Sequence, residues 1–374
     1  MTLTSKTERA IAQSHWGAAL LLFCATAVVA PAQTIITFDV AGAGTAVGQG
    51  TKAYFSNTAG TITGESIDSG SVSHGFVRTS GGSITGFDVT GAGTGVDQGT
   101  MPISINANGV IAGHSVDSGG VAHGFVRAAN GKITIFNVPG AGTGVNQGTW
   151  SFEINSGGAI AGHYLDSGGV RHGYVRAANG KITTFDVTGA GTSKGEGTTA
   201  IGINASGLIA GYYLDAGAVY HAFVRTAAGA ITTFDAPGAG TGFAQGTVSG
   251  DVFSSGTIVG FYFDSGGVKH GFVRTPTGKI TSINVPGAGT GKGQGTTAYR
   301  INTSGEIIGT YIDSGSVHHG YSRSKAGVFT TFEVPGAGTA VDQGTDANTL
   351  NTAGDIAGYY ADSGTVYHGF VRTP

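Results

Sequence analysis

The stretch Ile160–Gly189 reads IAGHYLDSGGVRHGYVRAANGKITTFDVTG. It holds three candidate strands separated by two turns. Ser167-Gly168-Gly169 suits a three-residue hairpin loop, with glycine available for the left-handed position, and Asn179-Gly180 is a strong hairpin signal. The same pattern returns every 49 residues. Its histidine recurs at His74, His123, His172, His221, His270, His319 and His368, and the Gly-Ala-Gly-Thr stretch restarts at Gly42, Gly91, Gly140, Gly189, Gly238, Gly287 and Gly336. Seven copies therefore fill residues 33–374, numbered here as units 1 to 7 from Gly42.

One unit, Gly140–Thr188, shows the order of elements. A glycine-rich connection ending in Gln147-Gly148-Thr149 leads into a first strand, where Phe152 and Ile154 alternate with Ser151 and Glu153. Side chains of a strand point alternately to its two faces, so this alternation is the strand period. The second strand is AIAGHYLD, the third VRHGYVR and the fourth KITTFDV. The second and third carry apolar residues or glycine on both faces, which fits a sheet covered on both sides. Isoleucine fills one second-strand position in every copy (Ile62, Ile111, Ile160, Ile209, Ile258, Ile307, Ile356), and valine recurs from Val72 to Val366. These are expected core positions, each contributing about 1.5–3 kcal/mol on burial.

A four-stranded unit of this length, repeated seven times, predicts an all-β fold: a seven-bladed β-propeller of four-stranded antiparallel blades. The competing architecture is an open β-solenoid. An open stack needs atypical capping repeats, and here the outer copies look like the inner ones. The phase of the repeat points the same way. The lone strand Thr34–Val40 and the lone strand His368–Arg372 are expected to pair and close the ring.

Residues 1–32 lie outside the repeat. Lys6 and Arg9 precede the short apolar run Trp16–Ala30, and Ala30-Pro31-Ala32 offers small residues for cleavage before Gln33. This is the layout of a secretory signal peptide, so a secreted, periplasmic or extracellular location is expected, with no transmembrane segment in the mature chain. Phe23 before Cys24 disfavours a lipoprotein anchor. Cys24 is the only cysteine, so the mature chain has no disulfide to rely on.

Charged residues make up 11% of the sequence and the formal net charge is −3. No basic patch appears, which excludes the phosphate-driven contacts of a nucleic-acid binder. Glycine, 70 of 374 residues, recurs at fixed places and marks turns and close backbone approaches. No cofactor is expected, and the chain is expected to be a monomer.

The pattern around Ile203-Asn204, Gly207, Ile209, Gly211, Asp215 and His221-Ala222-Phe223 through Arg225 resembles the HAF-type repeats of predicted extracellular proteins. The resemblance covers residues 34–374. It implies an exported protein and transfers no catalytic residue.

Repeated titratable groups read as scaffold. Asp68, Asp117, Asp166, Asp215, Asp264, Asp313 and Asp362 flank the Ser-Gly turns, where a carboxylate accepts backbone N–H bonds. The repeated histidines, His172 facing Tyr164 for example, read the same way. Copies in different units form separate sites, whereas a metal needs three or four converging ligands, so no metal site is expected. The arginines Arg78, Arg127, Arg176, Arg225, Arg274, Arg323 and Arg372 are expected to pair with an acidic or carbonyl group such as Asp186. A specific site belongs where the copies differ. One first-strand position reads Phe55, Ser104, Glu153, Gly202, Asp251, Arg300 and Thr349. Glu153, Asp251 and Arg300 are the candidate ligand-binding residues, expected to approach one another at a central channel. Unit 5 also departs from the others, with Phe253 in place of the asparagine at Asn204 and Asn302.

No catalytic residue is assigned. The expected function is a binding or interaction scaffold for a glycan or a protein partner, with exposed aromatics such as Trp150 suited to stacking on sugars. The alternatives are a polysaccharide hydrolase or lyase using Glu153 and Asp251, and a purely structural surface protein.

Overall fold

The computed structural model describes residues 33–374; the expected signal peptide, residues 1–32, lies outside them. Every regular element among the described residues is a strand, and there are 28, β1 to β28. Unit 1 supplies β2 (Gly50–Ser56), β3 (Ile62–Ile67), β4 (Ser73–Arg78) and β5 (Ile84–Phe87). Pairing inside the unit is antiparallel throughout. The same pattern repeats to β28 (Tyr367–Thr373), whose fourth-strand partner is β1 (Thr34–Phe38), paired from Thr34↔Thr373 to Phe38↔Gly369.

The units are not separate sheets. The first residue of each first strand pairs in parallel with the third strand of the unit before it: Ser73↔Gly99, Ala122↔Gly148, Arg171↔Gly197, Tyr220↔Gly246, Lys269↔Gly295, His318↔Gly344 and, closing the path, Tyr367↔Gly50. Three strands from each of seven units thus form one closed, mixed β-barrel of 21 strands in a single 28-stranded sheet. The seven fourth strands branch from it. This corrects the expected seven-bladed propeller of independent four-stranded antiparallel blades, and the closed path also excludes an open solenoid.

The physical reason lies in one glycine per unit. Gly148 has φ of 111°, and a Cβ there would stand 2.1 Å from the Ala122 carbonyl oxygen; Gly50 and Gly344 are tighter, at 2.0 Å from Tyr367 and His318. Only glycine combines this left-handed conformation with so close a backbone approach. The Gln-Gly-Thr ending that reads as the close of a loop is therefore the joint between units.

The core lies between neighbouring units. Phe223, fully buried, packs with Ile209 and Tyr213 of its own unit and with Ala161 and Val187 of the unit before. The seven isoleucines of the second strands are buried as expected.

Candidate functional site

On the rim, each unit repeats one polar arrangement. The Gly70 and Val72 N–H groups donate to Asp68 Oδ1 at 2.8 and 2.9 Å, and the equivalents follow in every unit, for example Gly168 and Val170 on Asp166. These bonds, with that from Val72 foremost, hold the Asp68 carboxyl below the usual carboxylate range. The histidine lies between this aspartate and a second group from the fourth strand. His172 Nε2 is 3.5 Å from Asp166 Oδ2, and its Nδ1 is 3.0 Å from Asp186. Asn137 and Glu333 take the second role for His123 and His319. Tyr164 stacks on His172 at 4.9 Å. Among the described residues no group of three or more His, Cys, Asp or Glu side chains is arranged to hold a metal ion.

Asp186 is thus engaged by histidine, and of the expected acidic or carbonyl partners the arginines take a carbonyl, together with an aromatic face. The Arg176 guanidinium lies 4.8 Å over the Phe136 ring of the preceding unit and donates to the Ala177 carbonyl at 3.4 Å. Arg78, Arg127, Arg225, Arg274 and Arg372 repeat this on Phe38, Phe87, Phe185, Phe234 and Phe332. Arg323 differs, lying 5.8 Å over Phe329 of its own unit, because the aromatic of the preceding unit is replaced by Ile283. A cation over an aromatic face contributes about 0.5–1 kcal/mol when exposed and more when desolvated.

On the axis, the variable first-strand position has a shared task. Its side chain accepts the N–H of the next unit's first strand: Ile154 N–H on Ser104 Oγ (3.0 Å), Ile203 N–H on Glu153 Oε2 (3.4 Å), Ile301 N–H on Asp251 Oδ2 (3.4 Å) and Ser56 N–H on Thr349 Oγ1 (3.0 Å). Arg300 instead reaches across the channel. Its Nη1 is 3.6 Å from Glu153 Oε2 of unit 3 and 3.4 Å from Asp251 Oδ1 of unit 5, and its guanidinium lies 4.4 Å over the Phe55 ring of unit 1. The structure therefore brings together the three residues singled out by their variation. Asp251 and Arg300 border two cavities, one of about 280 Å³ lined also by Glu153 and by Asn57, Asn155 and Asn302, the other of about 250 Å³ lined by Tyr54, Tyr299 and Asn348.

One guanidinium faces two carboxyls there. Desolvation pushes Glu153 up to about 8; Arg300 opposes the rise and Asp251 adds to it. Burial raises Asp251 too, against Arg300. One positive charge offsets one carboxylate, so the pair retains a proton near neutral pH. The guanidinium also fills the space between the two carboxyls, where a substrate of an acid–base pair would have to sit.

The same mouth carries a chain of side-chain amides. Asn57 donates to the Asn106 carbonyl, Asn106 to Asn155, Asn155 to Asn204 and Asn204 to Phe253, at 2.9–3.1 Å. Phe253 has no amide to pass the chain on, and Asn351 turns to Asp355 instead. Unit 5 also carries a wider register shift, between Ser249 and Val252.

Trp150 is not a free stacking surface. His114 and His163 lie against its ring, at 4.5 and 6.3 Å. Among the described residues the exposed aromatic is Phe243, 81% exposed at a loop tip. It borders a cleft of about 510 Å³ lined by Tyr220, Phe263, Gln245 and Lys292. Sequence reasoning missed this cleft. The available signal was again variation between copies: valine at Val47, Val96, Val145 and Val341, but Phe243 in unit 5 and lysine at Lys194 and Lys292.

Among the described residues no helix is long and apolar enough to cross a membrane. No protein-family model and no curated protein sequence matches the chain. Among solved structures, the BP39L lectin of Burkholderia pseudomallei is similar in fold, with TM-score 0.55 and 9% identity over 86% of this chain and 96% of the lectin. A prolyl endopeptidase matches with TM-score 0.54 and 10% identity over 90% of this chain and 50% of that one. A puromycin hydrolase matches with TM-score 0.53 and 11% identity over 84% and 50%. The chain thus spans about half the length of either enzyme. At these identities the likeness is one of fold: an all-β, repeat-built chain shared by a lectin and by part of two larger enzymes.

Proposed function

We propose that the mature protein is an exported, HAF-type repeat protein that serves as a glycan-binding scaffold. The observation that carries this reading is the cleft at Phe243. The exposed Phe243 ring lines, with Tyr220, Phe263 and Lys292, a space of about 510 Å³. That volume lies within the range of about 300–1,000 Å³ for small-molecule sites, which combine apolar walls with a few polar groups. Aromatic side chains with one wet side suit the apolar face of a sugar. The fold shared with a lectin supports the reading. The signal-like residues 1–32 support export.

The test is titration calorimetry of the purified protein against a panel of mono- and oligosaccharides, repeated with Phe243→Ala. Because Phe243 is exposed, the variant is expected to fold normally and to lose about tenfold or more in affinity, about 1.4 kcal/mol. Saccharide affinity unchanged by the substitution, or no saccharide binding at all, would rule the cleft out as a glycan site.

A further inference from the structure

Five units fill one place on the rim with their own tyrosine. Tyr164, Tyr213, Tyr262, Tyr311 and Tyr360 stack on the histidines of their units at 4.7–5.0 Å and 17–25°. In four of these units the phenol hydroxyl lies 3.4–3.7 Å from where a side chain on the connection glycine would begin (Gly140, Gly189, Gly238, Gly336). Tyr262 also meets the fourth strand, its hydroxyl 3.1 Å from Ser282 Oγ.

Units 1 and 2 carry serine in place of this tyrosine, Ser66 and Ser115. Unit 2 has the larger Ile135, 44% exposed, at the fourth-strand place equivalent to Ser282. Unit 1 does the opposite and has Gly86 there. Two small residues coincide, and a cavity of about 340 Å³ opens, lined by Gly42, Ser66, Asp68, His74, Phe87 and Asp88 among others. The side-chain position on Gly42 has no atom within 4 Å, which holds also at Gly91 and Gly287, so it is the cavity that sets unit 1 apart. The His74 side chain is 37% exposed, against 23% for His172.

We propose that this vacated tyrosine seat in unit 1 is a binding site for a small phenolic ring, which stacks on His74 as the internal tyrosines do on theirs. The polar groups of the cavity choose the ligand. Asp68 already accepts two backbone N–H bonds and faces His74 Nε2, and both oxygens of Asp88 lie 3.0–3.1 Å from His74 Nδ1. The group left over is the Ser66 hydroxyl. Ser66 is only 3% exposed, yet its hydroxyl has no hydrogen-bond partner among the described residues. A flat ring with one hydroxyl satisfies it. Although burial opposes it, the contacts with Asp88 and Asp68 raise the His74 imidazole toward its cationic form, which favours an electron-rich ring over its face.

The experiment is titration of the full chain with p-cresol, followed by calorimetry and by histidine proton shifts. One saturable site is expected in the natural sequence. Ser66→Tyr refills the seat and is expected to weaken binding by about tenfold or more while raising the melting temperature. The pair Tyr164→Ser with Thr184→Gly opens an equivalent seat in unit 3 and is expected to raise the stoichiometry to two. If Ser66→Tyr does not fold, Gly86→Thr narrows the seat and carries the same expectation for affinity. The absence of saturable p-cresol binding, or binding that Ser66→Tyr leaves unchanged, overturns the proposal. So does displacement of p-cresol from the seat by methyl glucoside. Phe243→Ala is expected to leave p-cresol binding intact, so failure here and failure of the glycan cleft are told apart.

Discussion

The rim and the axis of this molecule use the same chemical groups in opposite ways. On the rim, seven histidines each stand between two polar groups, partly wetted and repeated with little change. On the axis, one arginine stands between two carboxyls, largely buried and present once. Solvent screens the first arrangement, so each copy contributes little. Water is excluded from the second, so the loss of one partner leaves a charge with nothing to balance it. Repetition has placed charge where each instance is dispensable, and divergence between copies has placed it where it is not.

Three substitutions bear on this contrast. The largest effect is expected for Arg300→Met, which keeps the length of the side chain and leaves Glu153 and Asp251 facing each other without a cation. Removing one partner from a buried pair costs about 3–5 kcal/mol. Urea unfolding at pH 7 measures it, and a loss below about 1 kcal/mol would place the axis in the same class as the rim.

The second prediction concerns pH. Glu153 is raised in the folded state, so between the ordinary glutamate range and about 8 the folded protein holds a proton that the unfolded chain has shed. Stability from this group is full below that window and falls as pH rises through it. Glu153→Gln is expected to flatten the decline. The rim aspartates have the opposite sign. Asp68 is held low, so its contribution is present above the ordinary aspartate range and is lost as pH falls through the folded value. Denaturation midpoints from pH 3 to pH 9 should therefore show acid loss from the rim and, from the axis, a decline between the ordinary glutamate range and about 8. A wild-type profile that rises steadily from pH 5 to pH 8 would reverse the direction assigned to Glu153.

The smallest effect is expected for His172→Ala, within about 1 kcal/mol, because the ion pairs lost are solvent-exposed and six other units keep theirs. A thermal melt checks it. A loss comparable with that of Arg300→Met would mean that the rim arrangement acts as one cooperative network.

Much of this arrangement was legible before the structure. Alternation in the first strands and the Ser-Gly and Asn-Gly turns mark the strands of each unit, because these signals are local. The joint was not legible. What makes Gly148 necessary is the Ala122 carbonyl of another unit, and no property of Gly148 alone discloses that neighbour. The arginines were half legible for the same reason: Arg176 does donate to a carbonyl, that of Ala177 next to it, but not to Asp186, and the ring it covers, Phe136, belongs to the unit before. Comparison between copies located Glu153, Asp251 and Arg300, since a buried place that changes charge from unit to unit is not serving the repeat alone. The same comparison, applied to the second strand, marks Ser66, along with Ser115, against five tyrosines. Its significance depends on Gly86 opposite, and that pairing is visible only once the strands are placed.

The pairing of β1 with β28 has a consequence of timing. Each of units 1 to 6 receives its four strands consecutively, so it can assemble as the chain is delivered. β1 is made first, yet its partner follows more than 300 residues later, from Thr34 to Thr373. Contacts so distant in sequence form slowly, because a long loop must close before they contribute anything. We expect ring closure to be the last step of folding, with β1 waiting as a short free strand. Agents that capture extended segments would then act on the nascent protein at that strand and have nothing to grasp once the circle is shut.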